Sequence, residues 1–204
     1  MSSFAEIAPI CDIKEFSITE FIQQGGAGKV YSGIWKSSLP YKKVALKYFG
    51  YTEREPNEQQ IYEEIDLMQK LRGIEGIVQL QAIFMDSPRG MVSGKYYKRS
   101  YPVIVMELLE GGELFEKIES TGAISENDLA LLFRGIILAL DSMHQRRYLH
   151  RDVKLENLML VNKEPNSPVK IIDFGMMVRL KKGKKIYRSP TIQGTAGYVA
   201  PESL

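Results

Sequence analysis

His150-Arg151-Asp152-Val153-Lys154-Leu155-Glu156-Asn157, followed by Asp173-Phe174-Gly175, is the stretch on which the fold turns. Asp152 and Asp173 lie 21 residues apart, with Asn157 between them. An aspartate paired with an asparagine offers hard oxygens suited to Mg²⁺. A second aspartate beside a cation can take a proton from a hydroxyl. Solvated loop carboxylates are the competing reading, which the two strings together disfavour. Two short β-rich runs, 158–161 and 169–172, frame the segment.

Upstream, the pattern changes from helical to β. Residues 129, 132, 133, 136, 140 and 143 are apolar at helical spacing. Ser125, with Asp128 three residues on, reads as a capping box that opens this helix. Leu131, Ile137 and Leu138 make it apolar on its other sides too, which calls for burial on most faces. Gly111-Gly112 marks the break before it. Further back, 16–22, 30–35 and 44–48 are short β-rich runs joined by turns, an antiparallel meander. Pro56 suits the first turn of a helix that places Ile61, Ile65 and Met68 on one face and closes at Gly73. Residues 77–85 and 101–109 read as two more strands.

Gly25, Gly26 and Gly28 lie between two strands, where glycine lets backbone N–H groups approach a phosphate. Alone, that signal is also what a plain hairpin turn gives. A Walker loop requires Ser or Thr after Gly28-Lys29, and Val30 stands there. A Rossmann loop must open a helix, and a β-rich run follows instead. Lys47 ends the string Val44-Ala45-Leu46-Lys47, 19 residues after Gly28. A lysine in such a run must reach an anion or solvent. Glu64 on the next helix could hold it, and an edge-strand lysine explains it equally well.

Composition narrows the class. The 27 Lys+Arg against 25 Asp+Glu leave a net charge of +2, which excludes nucleic-acid binding by bulk charge. At 44% apolar and 25% charged the chain is neither disordered nor fibrous. One cysteine, Cys11, excludes an internal disulfide, and fits a reducing, intracellular, cytoplasmic setting. No apolar run reaches the roughly 20 residues of a membrane span.

Taken in order, these motifs resemble the eukaryotic-type protein kinases. The run comprises Gln23 to Val30, Val-Ala-Leu-Lys47, the helix with Glu64, His-Arg-Asp152 to Asn157, Asp173-Phe-Gly and Ala200-Pro201-Glu202. The resemblance implies an α+β, two-lobed protein-kinase-like fold. A lead-in over 1–15 precedes an antiparallel β-rich N-lobe with one helix over 16–109. A partial, mainly helical C-lobe covers 110–204. It implies ATP and Mg²⁺ as cofactors. Lys47 would pair with the ATP phosphates and with Glu64. Asn157 and Asp173 would hold Mg²⁺. Asp152 would orient the substrate hydroxyl and accept its proton, and Lys154 would steady the transferred phosphoryl group. Gly25, Gly26 and Gly28 would cradle phosphate. Met106 precedes a hinge in which Glu107 to Leu109 would offer backbone groups to adenine. Val30, Ala45 and Met159 would sandwich the ring, and Glu113 would meet the ribose or a basic substrate residue.

Lys154 two residues after Asp152, and Gly194-Thr195 before Tyr198, resemble the serine/threonine branch. Gly-Gly-Glu-Leu-Phe at 111–115 and the run 194–202 look most like the calcium/calmodulin-dependent group. The implied partners are proteins bearing Ser or Thr, with Glu113 and Glu156 favouring basic residues ahead of the target; no nucleic acid, no membrane and no oligomeric state are implied. Thr191 is a candidate phosphorylation site whose phosphate could pair with Arg151. Residues 179–188 hold six basic residues in ten positions and no acid. That run is a solvated activation loop, with phosphate docking or nuclear targeting as the alternative.

Two features depart from the family. Gln23 replaces the first loop glycine, from which weaker loop mobility rather than lost ATP binding is expected. The chain also stops two residues after Glu202, where complete family members continue through several more helices. The expectation is a truncated serine/threonine kinase, poorly soluble and weakly active, whose helix over 129–143 exposes an apolar patch. The alternative is a catalytically impaired fragment that binds nucleotide or a partner. A small-molecule kinase of related fold is disfavoured by the activation segment.

Overall fold

The computed structural model describes residues 9–25, 28–49, 57–86, 100–121, 125–184, 186–188 and 193–201. The chain forms two compact units, Met1–Arg72 with Gln79–Leu108 and Gly73–Val78 with Leu109–Leu204.

The first unit is built on a five-stranded antiparallel sheet. Its strands are β1 (Phe16–Gly25), β2 (Gly28–Trp35), β3 (Lys42–Phe49), β4 (Leu80–Asp86) and β5 (Tyr101–Glu107), in the order β1-β2-β3-β5-β4. Strand alternation divides its residues between two faces. On one, Phe16, Val44, Leu46, Tyr48, Ala82, Phe84, Val103 and Val105 form a buried cluster. Phe16 stacks on Phe84 at 5.0 Å between ring centroids and on Trp35 at 5.6 Å. Cys11 packs against this cluster, and burial, with Glu15 nearby, raises its thiol pKa. The lead-in is tied down: Cys11 N donates to Ile83 O at 2.8 Å and Ile83 N to Pro9 O at 3.0 Å, which covers the outer edge of β4. A capping box between Asp12 and Glu15 then turns the chain into β1.

Helix α1 (Glu58–Lys70) packs on β4 and β5 through Ile61, Ile65 and Met68, the stripe read from the sequence. Its cap is Asn57, whose side chain accepts from the N–H groups of Gln59 and Gln60. Pro56, expected to open the helix, lies outside the described residues.

In the second unit, α2 (Leu114–Thr121) and α3 (Glu126–Gln145) precede two small ladders. In one, β6 (Tyr148–Leu149) pairs with β9 (Val178–Arg179); in the other, β7 (Leu158–Leu160) pairs with β8 (Val169–Ile171). Ser125 caps α3 as read, its hydroxyl accepting from Asp128 N at 3.2 Å. The apolar patch expected on α3 is exposed, and burial of the helix on most faces does not hold. Ile136, Ala139 and Met143 are buried, while Leu131, Phe133, Ile137 and Leu138 are exposed. The strand read at 77–85 is also shorter than expected. Ile77 instead bridges Ile171 in parallel, and Val78 N donates to Ile171 O at 2.9 Å, so its first residues belong to the second unit. Among the described residues no helix is long and apolar enough to cross a membrane.

Candidate active site

Within the first unit, β-sheet register gathers one set of expected residues. Val30 pairs with Lys47 across β2 and β3, and Ala45 pairs with Met106 across β3 and β5. Directly opposed residues share a face, so Val30, Ala45, Lys47 and Met106 stand on the face opposite the aromatic cluster. Lys47 Nζ donates to Glu64 Oε1 on α1 at 2.5 Å, and its ammonium lies 5.1 Å from the Phe49 ring centroid. Both members of this ion pair are largely removed from water, at 14% and 11% side-chain exposure. The pairing left open by sequence is therefore made. Glu107 binds Gln79 N through its side chain and Gln79 O through its own N–H. Gly25 pairs with Gly28 at the end of β1–β2, and Gly26 lies outside the described residues.

Gly28 is required by the sheet itself. A Cβ there would stand 1.9 Å from Tyr48 O, so the strand pairing itself requires glycine.

Within the second unit, β6 delivers the chain to His150 and a 3-10 turn at Leu155–Asn157 leads into β7. Asp152 sits between them and is buried. Asn157 Nδ2 donates to Asp152 O at 2.9 Å and to its Oδ2 at 3.3 Å. Lys154 Nζ lies 3.3 Å from Asp152 Oδ2 and donates to Thr195 Oγ1 at 2.8 Å. The Thr195 hydroxyl donates to Asp152 Oδ1 at 2.6 Å. Burial works to raise the Asp152 pKa. The donors Thr195, Lys154 and Asn157 outweigh it and hold the carboxyl below the ordinary aspartate value.

His150 is buried, and burial pushes its pKa down against the opposing pull of Asp173 and Asp152. Its Nδ1 accepts from Asp152 N at 3.2 Å, and its ring meets Phe174 edge-on at 6.2 Å. A neutral imidazole thus supports the Asp152 backbone and packs against the Phe174 ring. Asp173 Oδ1 accepts from Gly175 N at 2.9 Å, and Ile172 N donates to Asn157 O at 3.1 Å, tying the Asp173 strand to the Asn157 turn.

The donor chemistry fits a divalent cation. Asn157 spends its Nδ2 on Asp152, so its amide oxygen is the group that would meet a cation, and Asp173, one oxygen of which accepts from Gly175 N, offers a second hard-oxygen donor. Glu113 bridges Met159 in an antiparallel pair, and Gly111 N donates to Leu160 O at 3.1 Å. A surface cavity of about 370 Å³ lies beside them, lined by Glu113, Glu116, Lys117 and Glu164 among others; Asp152 and Asn157 do not line it.

Thr195 and His150 contact Asp152 directly, yet neither is among the site residues expected from sequence. Thr195 stood in view only as part of Gly194-Thr195. Nothing in local pattern connects it to a residue 43 positions earlier. Gly194 makes the approach feasible: its φ is +110°, and a Cβ would meet Arg151 O at 3.0 Å. Tyr198 hydroxyl reaches Glu156 Oε2 at 3.3 Å. Arg151 Nε donates to Met176 O at 2.6 Å, and its guanidinium lies 5.0 Å from the Tyr187 ring centroid. Thr191 and Glu202 lie outside the described residues.

Comparison with known proteins identifies the family. Residues 16–204 match the family model described as the protein kinase domain. The chain is 35% identical over 190 residues to calcium-dependent protein kinase 21 of Arabidopsis thaliana, covering 93% of this chain and 31% of that relative. It is 34% identical over 190 residues to calcium-dependent protein kinase 19 of Oryza sativa, with the same coverage of 93% and 31%. With calcium/calmodulin-dependent protein kinase type 1 of Caenorhabditis elegans it shares 33% identity over 198 residues, or 97% of this chain and 52% of the relative. The chain thus spans about a third of the plant relatives' length.

Proposed function

Because the chain belongs to the protein kinase domain family, we propose that it transfers the γ-phosphate of ATP to serine or threonine hydroxyls of proteins. The observation that carries this reading is the Asp152 carboxylate, buried and kept ionised by Thr195, Lys154 and Asn157. Such a group suits orienting a hydroxyl and receiving its proton as the oxygen attacks phosphorus. The bond to the ADP oxygen breaks as the new oxygen–phosphorus bond forms, and the proton passes to Asp152.

Little covalent work falls to the protein in this reaction, so positioning and charge carry the catalysis. Lys154, already beside Asp152, supplies positive charge to the moving phosphoryl group. Lys47, held by Glu64, would meet the ATP phosphates, and Gly25, Gly26 and Gly28 would cover them. Val30, Ala45, Met106 and Met159 would take the adenine, with Glu107 and Leu109 offering backbone groups and Glu113 the ribose. Asn157 and Asp173 would hold Mg²⁺, which when bound neutralises phosphate charge. A basic residue ahead of the target would meet Glu113 or Glu156, and a phosphate on Thr191 would meet Arg151. The setting is intracellular, where ATP is available.

The test is phosphotransfer from ATP to a mixed Ser/Thr peptide library, read by mass spectrometry. Transfer abolished by Asp152→Asn and confined to Ser and Thr is expected. Transfer that survives Asp152→Asn, or that falls on tyrosine alone, would overturn the reading.

A further inference from the structure

The first part of the basic run after Asp173-Phe174-Gly175, residues 179–184, is tied into the second unit by its backbone while its cations stay exposed to solvent. From Phe174 to Pro201 the sequence carries no acidic residue. β9 pairs with β6, which sets Arg179 opposite Tyr148, and the Arg179 guanidinium lies 5.6 Å from that ring centroid. Beyond it the chain turns, with Lys184 N donating to Lys181 O at 3.0 Å and Gly183 at φ +80°. Arg147, just past α3, holds this turn. Its carbonyl accepts from Leu180 N at 2.8 Å, its Nε donates to Leu180 O at 3.3 Å, and its Nη2 to Lys184 O at 3.4 Å.

Arg147 does this from a left-handed backbone, φ 69°, at the place where a helix end favours glycine. Glycine would satisfy the backbone there. It could not supply the guanidinium that binds two carbonyls of the turn. A charge run whose only duty was solvation would need no such clamp. The result is three exposed cations, Lys181, Lys182 and Lys184, presented from one short turn. Among the described residues no carboxylate pairs with any of them.

We infer that the turn over 180–184, fixed by Arg147, is a docking site for acidic segments of protein substrates. The inference rests on the proposed protein-kinase activity for its substrate class. Its physics is independent of that reading: a preorganised row of like charges avoids the ordering cost that a mobile loop would bear, and favours a partner of opposite sign.

A fluorescein-labelled peptide of about eight residues, mostly glutamate, tests this by anisotropy with the full chain at low and moderate salt. Saturable, salt-weakened binding is expected. Lys181→Glu/Lys182→Glu/Lys184→Glu should weaken it by about tenfold or more. Arg147→Gly, which eases the backbone but removes the clamp, should weaken it roughly threefold while circular dichroism stays unchanged. Lys14→Glu/Lys36→Glu/Lys42→Glu makes the same change in net charge on the first unit and should leave affinity intact. No binding by the parent chain, equal loss in both triple variants, or tighter binding of an oligonucleotide of equal charge would each overturn the site. Asp152→Asn should bind the peptide as the parent does, so a failure of phosphotransfer and a failure of docking are read separately.

Discussion

The Thr195 hydroxyl donates a 2.6 Å hydrogen bond to Asp152 Oδ1, joining two residues 43 positions apart. The same oxygen of Thr195 accepts from Lys154, so one hydroxyl orients both the proposed proton acceptor and its neighbouring cation. Thr195→Val removes a donor that holds the Asp152 pKa down. Phosphotransfer should fall by roughly tenfold to a hundredfold. The acid limb of the pH–rate profile should move to higher pH, because Asp152 then ionises less readily. Thr195→Ser should restore both. A valine variant with low activity and an unmoved acid limb would assign Thr195 to packing alone.

Lys47 and Glu64 should be coupled in stability as well as in any nucleotide binding. Each is mostly buried, so either partner alone is a desolvated charge. Lys47→Met and Glu64→Gln should each cost about 1–3 kcal/mol in urea unfolding. The double variant should cost less than the sum of the two, by about 1 kcal/mol. Strict additivity would mean that the pair contributes nothing beyond its separate contacts.

How far the sequence discloses this site depends on the range of each interaction. The β2 and β3 runs and the α1 stripe of Ile61, Ile65 and Met68 follow local periodicity, so both are legible from neighbours. Lys47 with Glu64 is legible as a suspicion, and Asp152 with Asn157 as a motif. The β6–β9 ladder is not, because two residues show no period. Ile77 is misread for a related reason: its apolar run continues into β4, and only the distant Ile171 draws it aside. Thr195 shares that difficulty, since a hydrogen bond across 43 residues leaves no mark on either local sequence. Asn57 is a cap that the sequence shows plainly, but Pro56 beside it offers an equally good signal.

His150 should make stability depend on pH near neutrality. Its folded pKa lies below the ordinary histidine value, chiefly through burial. Above the ordinary value both folded and unfolded states are neutral and the histidine costs nothing. As pH falls through it, the unfolded state binds a proton that the folded state resists, so stability declines. Urea midpoints should therefore drop between about pH 7.5 and pH 5.5. His150→Asn keeps an acceptor for Asp152 N without the titration and should flatten that slope. An unchanged slope would place the dependence elsewhere.

Gly28 and Gly135 should respond in opposite directions to alanine. A Cβ at Gly28 would collide with the Tyr48 carbonyl at 1.9 Å, and backbone cannot yield cheaply. Gly28→Ala should cost more than about 2 kcal/mol. Gly135 lies inside α3, where an added methyl group would have nothing within 4 Å. Gly135→Ala should stabilise by about 0.5–1 kcal/mol, because alanine is the better helix former. Thermal midpoints of the two variants should fall on either side of the parent.

The exposed side of α3 should govern self-association. Leu131 is 64% exposed, Phe133 54%, Ile137 60% and Leu138 48%, while Ile136 between them is only 5% exposed. Apolar groups already in water contribute little to folding, and grouped together they attract like surfaces. Leu131→Lys with Ile137→Glu should therefore reduce concentration-dependent association in sedimentation velocity. The change in unfolding free energy should stay within about 0.5 kcal/mol. Ile136→Ala, one position from Ile137, removes buried volume instead and should cost about 2–4 kcal/mol. If the charged double variant destabilises as much as Ile136→Ala, then the α3 face is buried in solution, and the exposure of Leu131 and Ile137 is not the state that the chain adopts there.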